Sequence, residues 1–316
     1  MLGFVILLAI GLAVFTAWVI GATAWALAHP QRRTYAWAVS RNRPGDPGEL
    51  SPSRSFESWS FRGARHDLPV WEITGDTPTG PTIVITHGWN ESRMMSLPIA
   101  AALCEVASRV VVWDLPGHGD APGISRLGTD EHLDLLALIQ QLGTDVILYG
   151  RSLGAGVSIR AGVAQDPAAK HIVGVLAEAP YNIPPTPARN VMKLMGMPNT
   201  WNIRPTFLLL GLLLARRPEW GSWAWFDRCK QAHGLKVPLT VIHPELDAIC
   251  PIEDGRSIAA AAGGSFVQID GAGHNGLWID DVFAPRMRDA AFDAIRAMRT
   301  KTDAEIPAAP SASPSP

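Results

Sequence analysis

Short runs of β-branched and apolar residues recur along this chain, and helical segments separate most of them. The clearest runs lie at 82–86, 110–113, 146–149, 172–177, 239–242 and 266–269. They do not alternate polar with apolar side chains, which is typical of strands buried on both faces of a parallel sheet. Two earlier runs, at 59–61 and 70–74, predict an antiparallel opening pair. The pattern favours an α/β fold with a doubly wound, mostly parallel sheet.

The composition supports a folded domain and excludes several classes of function. Hydrophobic residues make up 47% of the 316 residues, and 12 Trp and 9 Phe supply core side chains, so a wholly disordered chain is excluded. The 27 basic and 29 acidic residues give a net charge of −2, which leaves no basic surplus for nucleic-acid binding. The three cysteines form no CxxC pair, which excludes a zinc ribbon and disfavours a disulfide framework.

The N-terminal residues 1–31 carry no Lys, Arg, Asp or Glu, and Thr16 and Thr23 are the polar side chains of the first 28 residues. As a helix this stretch spans about 40 Å, enough to cross a bilayer. We therefore predict a transmembrane anchor over 1–31. The alternative is a cleaved signal peptide, since residues 26–28 read Ala-Leu-Ala. The absence of a basic start and the length of the apolar stretch favour the uncleaved anchor.

The segment after the anchor sets the expected topology. Residues 32–54 are rich in Pro, Gly, Ser and Arg and predict a linker. Its arginines, Arg32, Arg33, Arg41 and Arg43, precede the first acidic residue, Asp46. By the positive-inside rule, a single-pass protein with this pattern has its C-terminal domain in the cytoplasm.

Residues 55–300 form the predicted main domain. Its strands and helices alternate regularly except in one interval. Residues 181–236 separate two predicted strands where one helix would suffice, and 207–215 is an unbroken apolar run followed by Arg216 and Arg217. Nine residues are too few to cross a membrane. We interpret 181–236 as a cap over the strand ends, with two alternatives: an ordinary buried helix, or an apolar lid that meets acyl chains. The Ala/Pro/Ser-rich tail 301–316 is predicted to be disordered.

The strongest chemical motif is Gly-Arg-Ser-Leu-Gly at 150–154, directly after the run 146–149 and before a helical stretch from 156. A GxSxG sequence between a strand and a helix is typical of a nucleophile elbow, a sharp turn that exposes a serine hydroxyl. The two glycines suit a turn in which neighbouring backbone comes close. Ser152 is thus the candidate nucleophile, and the alternative is a structural serine in an inactive protein.

A nucleophilic serine needs a base and a group that orients the base. His274 follows the run 266–269 and Asp247 follows the run 239–242, so the chain order is Ser, Asp, His. This is the order of nucleophile-elbow hydrolases. Glu245 and Glu178 remain rival carboxylates because each also lies near the end of a predicted strand.

The oxyanion of an acyl-transfer reaction needs hydrogen-bond donors. We predict the backbone N–H groups of Trp89, after the run 82–86, and of Leu153, after the candidate nucleophile. Both are backbone donors, so the identity of the side chain does not determine them.

Several other polar residues have interpretations that involve no catalysis. His87 is predicted to brace the oxyanion loop and His118 to hold a turn. Arg151 fits either an acidic group on the substrate or a salt bridge. His243, Glu245 and Asp247 have alternating positions, which the alternation of a strand end explains better than a metal site, so no metal is expected.

These motifs resemble the α/β-hydrolase superfamily over roughly residues 56–298. The resemblance rests on His87-Gly88-Trp89, on 114–119 (Asp-Leu-Pro-Gly-His-Gly), on 150–154, on the Asp247 segment and on 271–274 (Gly-Ala-Gly-His). The anchor and the GRSLG elbow are similar to those of a group of anchored serine hydrolases. The resemblance implies an eight-stranded sheet with helices on both faces, a helical cap, and hydrolysis of an ester, thioester or amide without a cofactor.

The leading hypothesis is a membrane-anchored serine hydrolase that cleaves a carboxylic ester or thioester, with a small-molecule or acyl-lipid substrate. Two alternatives stay open: a serine peptidase or amidase with the same triad, and a non-catalytic anchored scaffold protein. A dinucleotide-binding oxidoreductase is excluded, since the loop at 87–90 reads His-Gly-Trp-Asn and contains no GxGxxG.

Overall fold

The computed structural model of the protein describes residues 1–215 and 223–305. Arg216, Arg217 and residues 306–316 of the predicted tail lie outside the described residues. The strands are β1 Phe56–Arg62, β2 Asp67–Thr74, β3 Thr82–Thr86, β4 Arg109–Trp113, β5 Val146–Arg151, β6 Ile172–Glu178, β7 Leu239–Pro244 and β8 Ser265–Ile269. The helices are α1 Leu2–Ala28, α2 Tyr35–Val39, α3 Leu97–Leu103, α4 Glu131–Leu142, α5 Leu153–Gly162, α6 Pro185–Leu194, α7 Ile203–Leu210, α8 Arg228–His233, α9 Ile252–Ala261 and α10 Ala284–Glu305.

The eight strands form one sheet in the order β1-β2-β4-β3-β5-β6-β7-β8. The strand β2 pairs antiparallel with β1 and with β4, and all the other pairs are parallel. The predicted eight-stranded, mostly parallel sheet with an antiparallel opening is therefore confirmed. In the centre, Val84 of β3 pairs with Val111 on one side and Leu148 on the other.

Helices cover both faces of the sheet because its side chains are apolar on both sides. One core layer contains Val84 and Leu148 together with α4, α5 and α9. The other layer contains Ile85 and Tyr149 together with α3 and α10. Burial on both faces is the reason why these strands show no alternation in the sequence.

The direction of strand addition reverses between β3 and β5. From β3 the chain moves to β4 on one side, and it then returns to β5 on the other side. In open α/β sheets the crevice outside the carboxyl ends of strands at such a reversal is the usual ligand site. The loops after β3 and β5 meet at this point, and those after β7 and β8 lie along the same edge.

The interval between β6 and β7 contains α6, α7, a helical turn at Gly211–Ala215, a 3₁₀ turn at Trp223–Phe226 and α8. The apolar run 207–215 is thus the end of α7 with the turn that follows it. Leu210 and Leu214 are buried, whereas Leu212 and Leu213 are exposed. The last helix, α10, continues to Glu305, past the predicted start of the tail at residue 301.

The N-terminal helix α1 is 27 residues long and, among the described residues, is the one helix long and apolar enough to cross a membrane. A signal sequence near the N-terminus can also meet this criterion of length and hydropathy. Its first part is exposed, and its last part packs on the domain, with Val19, Leu27 and Ala28 buried. The linker after it contains α2 and a 3₁₀ turn at Pro47–Glu49.

Candidate active site

The Gly-Arg-Ser-Leu-Gly segment forms a sharp turn between β5 and α5. Ser152 has φ 51° and ψ −108°, a backbone conformation that side-chain-bearing residues rarely adopt. The flanking glycines are required by close approach: a Cβ on Gly150 would overlap the backbone of Gly154, and a Cβ on Gly154 would overlap the Thr86 carbonyl. The helix begins at Leu153, immediately after the serine, so its free N–H groups point toward the turn.

The structure brings the predicted acid and base together. Asp247, in the loop after β7, accepts a hydrogen bond from Nδ1 of His274, in the loop after β8, at 2.6 Å. The other Asp247 oxygen accepts from the amides of Ile249 and Cys250, each at 2.8 Å. Burial raises the pKa of Asp247, but these hydrogen bonds and the charge of His274 outweigh it and lower the pKa below its ordinary value. Asp247 is therefore the ionised partner that fixes the ring of His274.

Neither rival carboxylate occupies this position. Glu178, at the end of β6, is fully buried and accepts hydrogen bonds from Tyr149 Oη and, at 2.9 Å, from Trp278 Nε1. Glu245 is exposed and accepts from the amide of Gly271 at 2.8 Å, which holds the start of the His274 loop.

The hydroxyl of Ser152 lies 3.7 Å from the thiol of Cys250, a neighbour that the sequence analysis did not predict. In residues 1–215 and 223–305, no direct hydrogen bond joins Ser152 to His274. A rotation of a serine side chain between staggered positions needs little free energy, so the contact with Cys250 does not fix the hydroxyl in one direction. Burial raises the pKa of Cys250 well above its ordinary value, so its thiol is protonated. No sequence signal marks this contact, because it depends on the loop conformation after β7.

The loop after β3 presents the predicted backbone donors. Within the described part of the chain, neither the Trp89 amide nor the Leu153 amide has an acceptor, and both residues line the same cavity as Ser152. His87 braces this loop: its Nε2 accepts from the Leu115 amide at 3.1 Å, and its Nδ1 bonds the Gly88 carbonyl at 2.8 Å. Burial lowers the pKa of His87 well below its ordinary value, which keeps the ring neutral for these two roles.

Arg151 ties the site loops together through salt bridges. It pairs with Glu91 of the loop after β3 and, at 2.8 Å, with Glu178 of β6. It also donates to the His274 carbonyl at 2.6 Å. Glu91 in turn accepts from the Gly88 amide at 2.8 Å. Of the two interpretations of Arg151, the structure thus places it in a salt-bridge network.

The remaining histidines of the sequence analysis are structural. His118 is buried and bonds the Pro116 carbonyl at 3.0 Å, and burial lowers its pKa to about 4. His243 is buried and bonds the Cys250 carbonyl at 3.0 Å. Each therefore holds a loop near the site.

One grouping of potential metal ligands exists among the described residues: Asp247, Cys250 and His274, with ligand atoms within 4.8 Å of one another. The Asp247 oxygens in this group already accept three hydrogen bonds, from the Ile249 and Cys250 amides and from His274. The contacts of Asp247 thus fit an orienting carboxylate better than a metal ligand.

A cavity of about 650 Å³ opens over Ser152 and His274. Its cap side is apolar, with Val191 and Phe207 from α6 and α7, and Leu27 of α1 also lines it. The indole N–H of Trp89 donates to the Leu27 carbonyl at 2.9 Å. The end of the N-terminal helix is therefore part of the cavity wall and holds the loop after β3.

An eight-stranded sheet with a nucleophile elbow after β5, and with an Asp–His pair from the loops after β7 and β8, defines a class of protein, the α/β hydrolases. The chain matches the model of the alpha/beta hydrolase family over residues 83–290. It belongs to this family.

Comparisons with individual proteins agree with this assignment. The pimeloyl-[acyl-carrier protein] methyl ester esterase of Chromobacterium violaceum is 34% identical over an alignment of 212 positions, and the match covers 57% of this chain and 81% of that protein. An uncharacterised protein of Mycobacterium tuberculosis is 26% identical over 234 residues, 71% of each chain.

Solved structures share the fold. An esterase of Pyrococcus furiosus superposes with a TM-score of 0.62 at 20% identity, over 85% of this chain and 99% of that one. A monoacylglycerol lipase of Paleococcus ferrophilus gives a TM-score of 0.55 at 21% identity, over 73% and 99%.

Proposed function

We propose that this protein is a membrane-anchored serine hydrolase that cleaves a carboxylic ester or thioester through an acyl-enzyme intermediate. The observation that carries the proposal is the Asp247–His274 pair at 2.6 Å, whose histidine lines the same cavity as Ser152. The esterase named among the relatives supports cleavage of an ester bond. No cofactor is needed for this chemistry.

In the proposed mechanism, Ser152 Oγ forms a bond to the carbonyl carbon and gives its proton to Nε2 of His274. Nε2 is the available nitrogen because Nδ1 bonds Asp247. The negative charge moves to the carbonyl oxygen, where the amides of Trp89 and Leu153 stabilise it. When the tetrahedral intermediate collapses, the bond to the leaving group breaks and His274 returns the proton to that group.

Water then completes the cycle. It gives a proton to His274 as its oxygen bonds the acyl carbon, and the second tetrahedral intermediate releases the acid and restores the Ser152 hydroxyl. The ionised Asp247 stabilises the charged imidazole ring in both halves of the reaction.

We expect full-length protein in a non-ionic detergent to hydrolyse p-nitrophenyl esters faster than the p-nitroanilide of the same acyl group. A fluorophosphonate probe, which reacts with activated serines, is expected to label the native protein and not the heat-denatured one. Faster cleavage of the anilide indicates the peptidase or amidase alternative. A folded protein that neither turns over esters nor takes up the probe fits the scaffold alternative and contradicts the proposal.

We also propose that α1 remains attached as a single membrane span, with the catalytic domain in the cytoplasm. Its last part is built into the domain: Asn202 of the cap donates to Thr23 at 3.0 Å, and the Ser125 amide donates to the Ala28 carbonyl at 2.9 Å. Cleavage after Ala28 removes both contacts and the Leu27 carbonyl that holds Trp89.

The membrane fraction, washed with alkaline carbonate, is expected to retain the protein at its full mass of 34.0 kDa. Protease added to sealed inverted vesicles should degrade the domain, whereas protease added to intact cells should not. A mature N-terminus at His29, found by mass spectrometry, would refute the uncleaved anchor.

A further inference from the structure

We propose that the cavity over Ser152 binds an amphipathic ester whose polar end carries a phosphate or carboxylate, and that Arg33, Arg41 and Arg43 bind this anion. The inference rests on the proposed hydrolase function and names its substrate class. Nothing in the hydrolytic chemistry itself requires these three residues, which belong to the linker and not to the sheet.

The three arginines share one wall of the cavity. All three line it together with Trp37 of the short helix α2, and Ser152 and His274 line the same cavity. The guanidinium carbons of Arg33, Arg41 and Arg43 lie 4.9, 4.7 and 5.8 Å from the centre of the Trp37 ring. One aromatic ring thus gathers three positive charges at the cavity, at distances where cation–π attraction holds them.

No carboxylate neutralises this cluster. Within residues 1–215 and 223–305, none of the three arginines has a carboxylate oxygen within 4 Å. The nearby acids are already engaged: Glu49 accepts from Tyr35 Oη and the Gly45 amide, and Glu91 pairs with Arg151. The positive charge therefore remains available to a ligand.

Arg33 is the arginine that a bound anion would stabilise most. It is half-buried, its Nε is buried without a hydrogen-bond partner, and one terminal nitrogen lies 3.5 Å from the sulfur of Met95, a weak acceptor. Burial, and then the charges of Arg41 and Arg43, lower its pKa. A phosphate or carboxylate between the guanidinium groups offsets this repulsion and forms charge-assisted, bidentate hydrogen bonds.

Another part of the cavity lining is apolar. Ala188, Val191 and Phe207 of the cap and Leu27 of α1 line it, and these residues suit a hydrocarbon chain. A substrate that satisfies both parts has an apolar chain on one side of the ester and an anion on the other. A neutral ester fills the apolar part only.

The arginines follow a membrane helix, so anionic headgroups of the leaflet are a competing ligand. The two sources of anion differ in what they change. A contact between the arginines and the leaflet changes the rates for all substrates by the same factor. Recognition of an anion on the substrate changes the ratio of kcat/KM between a charged ester and its matched neutral ester. The test therefore measures a ratio in non-ionic detergent micelles, which contain no anionic lipid.

Two substrate pairs place the anion on either side of the ester. The first pair is 1-dodecanoylglycerol 3-phosphate against 1-dodecanoylglycerol, and the second is monodecyl succinate against decyl butyrate. For at least one pair, we expect the full-length protein to prefer the anionic member in kcat/KM. The Arg41→Gln/Arg43→Gln variant should lower that preference on the order of tenfold, the effect of losing charge-assisted hydrogen bonds.

The matched control is Arg32→Gln, which removes one charge from the same linker but from a residue that donates to the Ala121 carbonyl instead of lining the cavity. It should leave the preference unchanged. The inference is wrong if the ratio of kcat/KM for the anionic and neutral esters is near one in both pairs. It is also wrong if the double variant leaves this ratio unchanged. Neither result affects the proposal of ester hydrolysis. Protein that also fails to cleave p-nitrophenyl butyrate or to take up a fluorophosphonate overturns the proposed function with it.

Discussion

Substitution Ser152→Ala should lower kcat for ester hydrolysis by about 10⁶-fold and abolish fluorophosphonate labelling, because it removes the proposed nucleophile. The residual rate comes from the oxyanion donors and substrate binding. Alanine has a Cβ as serine does, so the strain at φ 51° is unchanged and the variant should fold. Kinetic assays and probe labelling of the purified protein measure the effect.

The chain offers a matched control in Ser158, one turn and a half further along α5. It is fully buried, and its hydroxyl has no hydrogen-bond partner among the described residues. Ser158→Ala should therefore keep both labelling and turnover. Labelling that persists in Ser152→Ala and disappears in Ser158→Ala would place the nucleophile elsewhere and refute the assignment.

The second large effect is expected for Asp247→Asn, which should lower kcat by about 10⁴-fold. The amide oxygen of asparagine can still accept from the Ile249 and Cys250 amides, so the loop should keep its shape. The asparagine no longer holds His274 in the correct tautomer or stabilises its charged form. Because the pKa of Asp247 lies below its ordinary value, the parent carboxylate is already ionised at about pH 5, and the defect should be present throughout about pH 5 to pH 8.

Glu245→Gln is the control, since Glu245 is the rival carboxylate two positions earlier. It is exposed, and its side chain accepts from the Gly271 amide, a contact that glutamine keeps through its carbonyl oxygen. Its kcat should stay within about twofold of the parent value, as for most surface substitutions. If Glu245→Gln loses its activity and Asp247→Asn keeps it, Glu245 is the carboxylate that orients His274 and the assignment of Asp247 is wrong.

Much of this site was predictable because the fold puts the informative residues at strand ends. A parallel sheet collects the loops after β3, β5, β7 and β8 at one edge, so Ser152, Asp247 and His274 converge although 122 positions separate the first from the last. Burial on both faces made the strands themselves visible as unbroken apolar runs. Their ends were less visible: β2 begins at Asp67 and β6 ends at Glu178, beyond the apolar runs that predicted them.

The contacts that the sequence did not reveal are long-range and often involve backbone atoms. The Trp89 indole bonds a carbonyl of the N-terminal helix, and any residue at position 27 supplies a carbonyl. The Cys250 thiol lies beside Ser152 in a loop whose Ile249 and Cys250 amides bond Asp247, a conformation that no local sequence pattern marks. In the sequence, the arginines at 33, 41 and 43 indicated the orientation of the protein in the membrane. Their position at the cavity was not predictable, because it depends on how the linker packs around Trp37.

The salt-bridge network of Arg151 makes one residue responsible for the relative positions of several site loops. Glu91, Glu178 and the His274 carbonyl are all held by one guanidinium group that follows directly from the central strand β5. Of the cap helices, α6 also bonds the Asp247 loop, because Asn190 donates to the Ile249 carbonyl at 2.8 Å. Phe207 of α7 lines the cavity, so substitutions at position 207 should change which acyl chains enter while the Arg151 contacts stay in place.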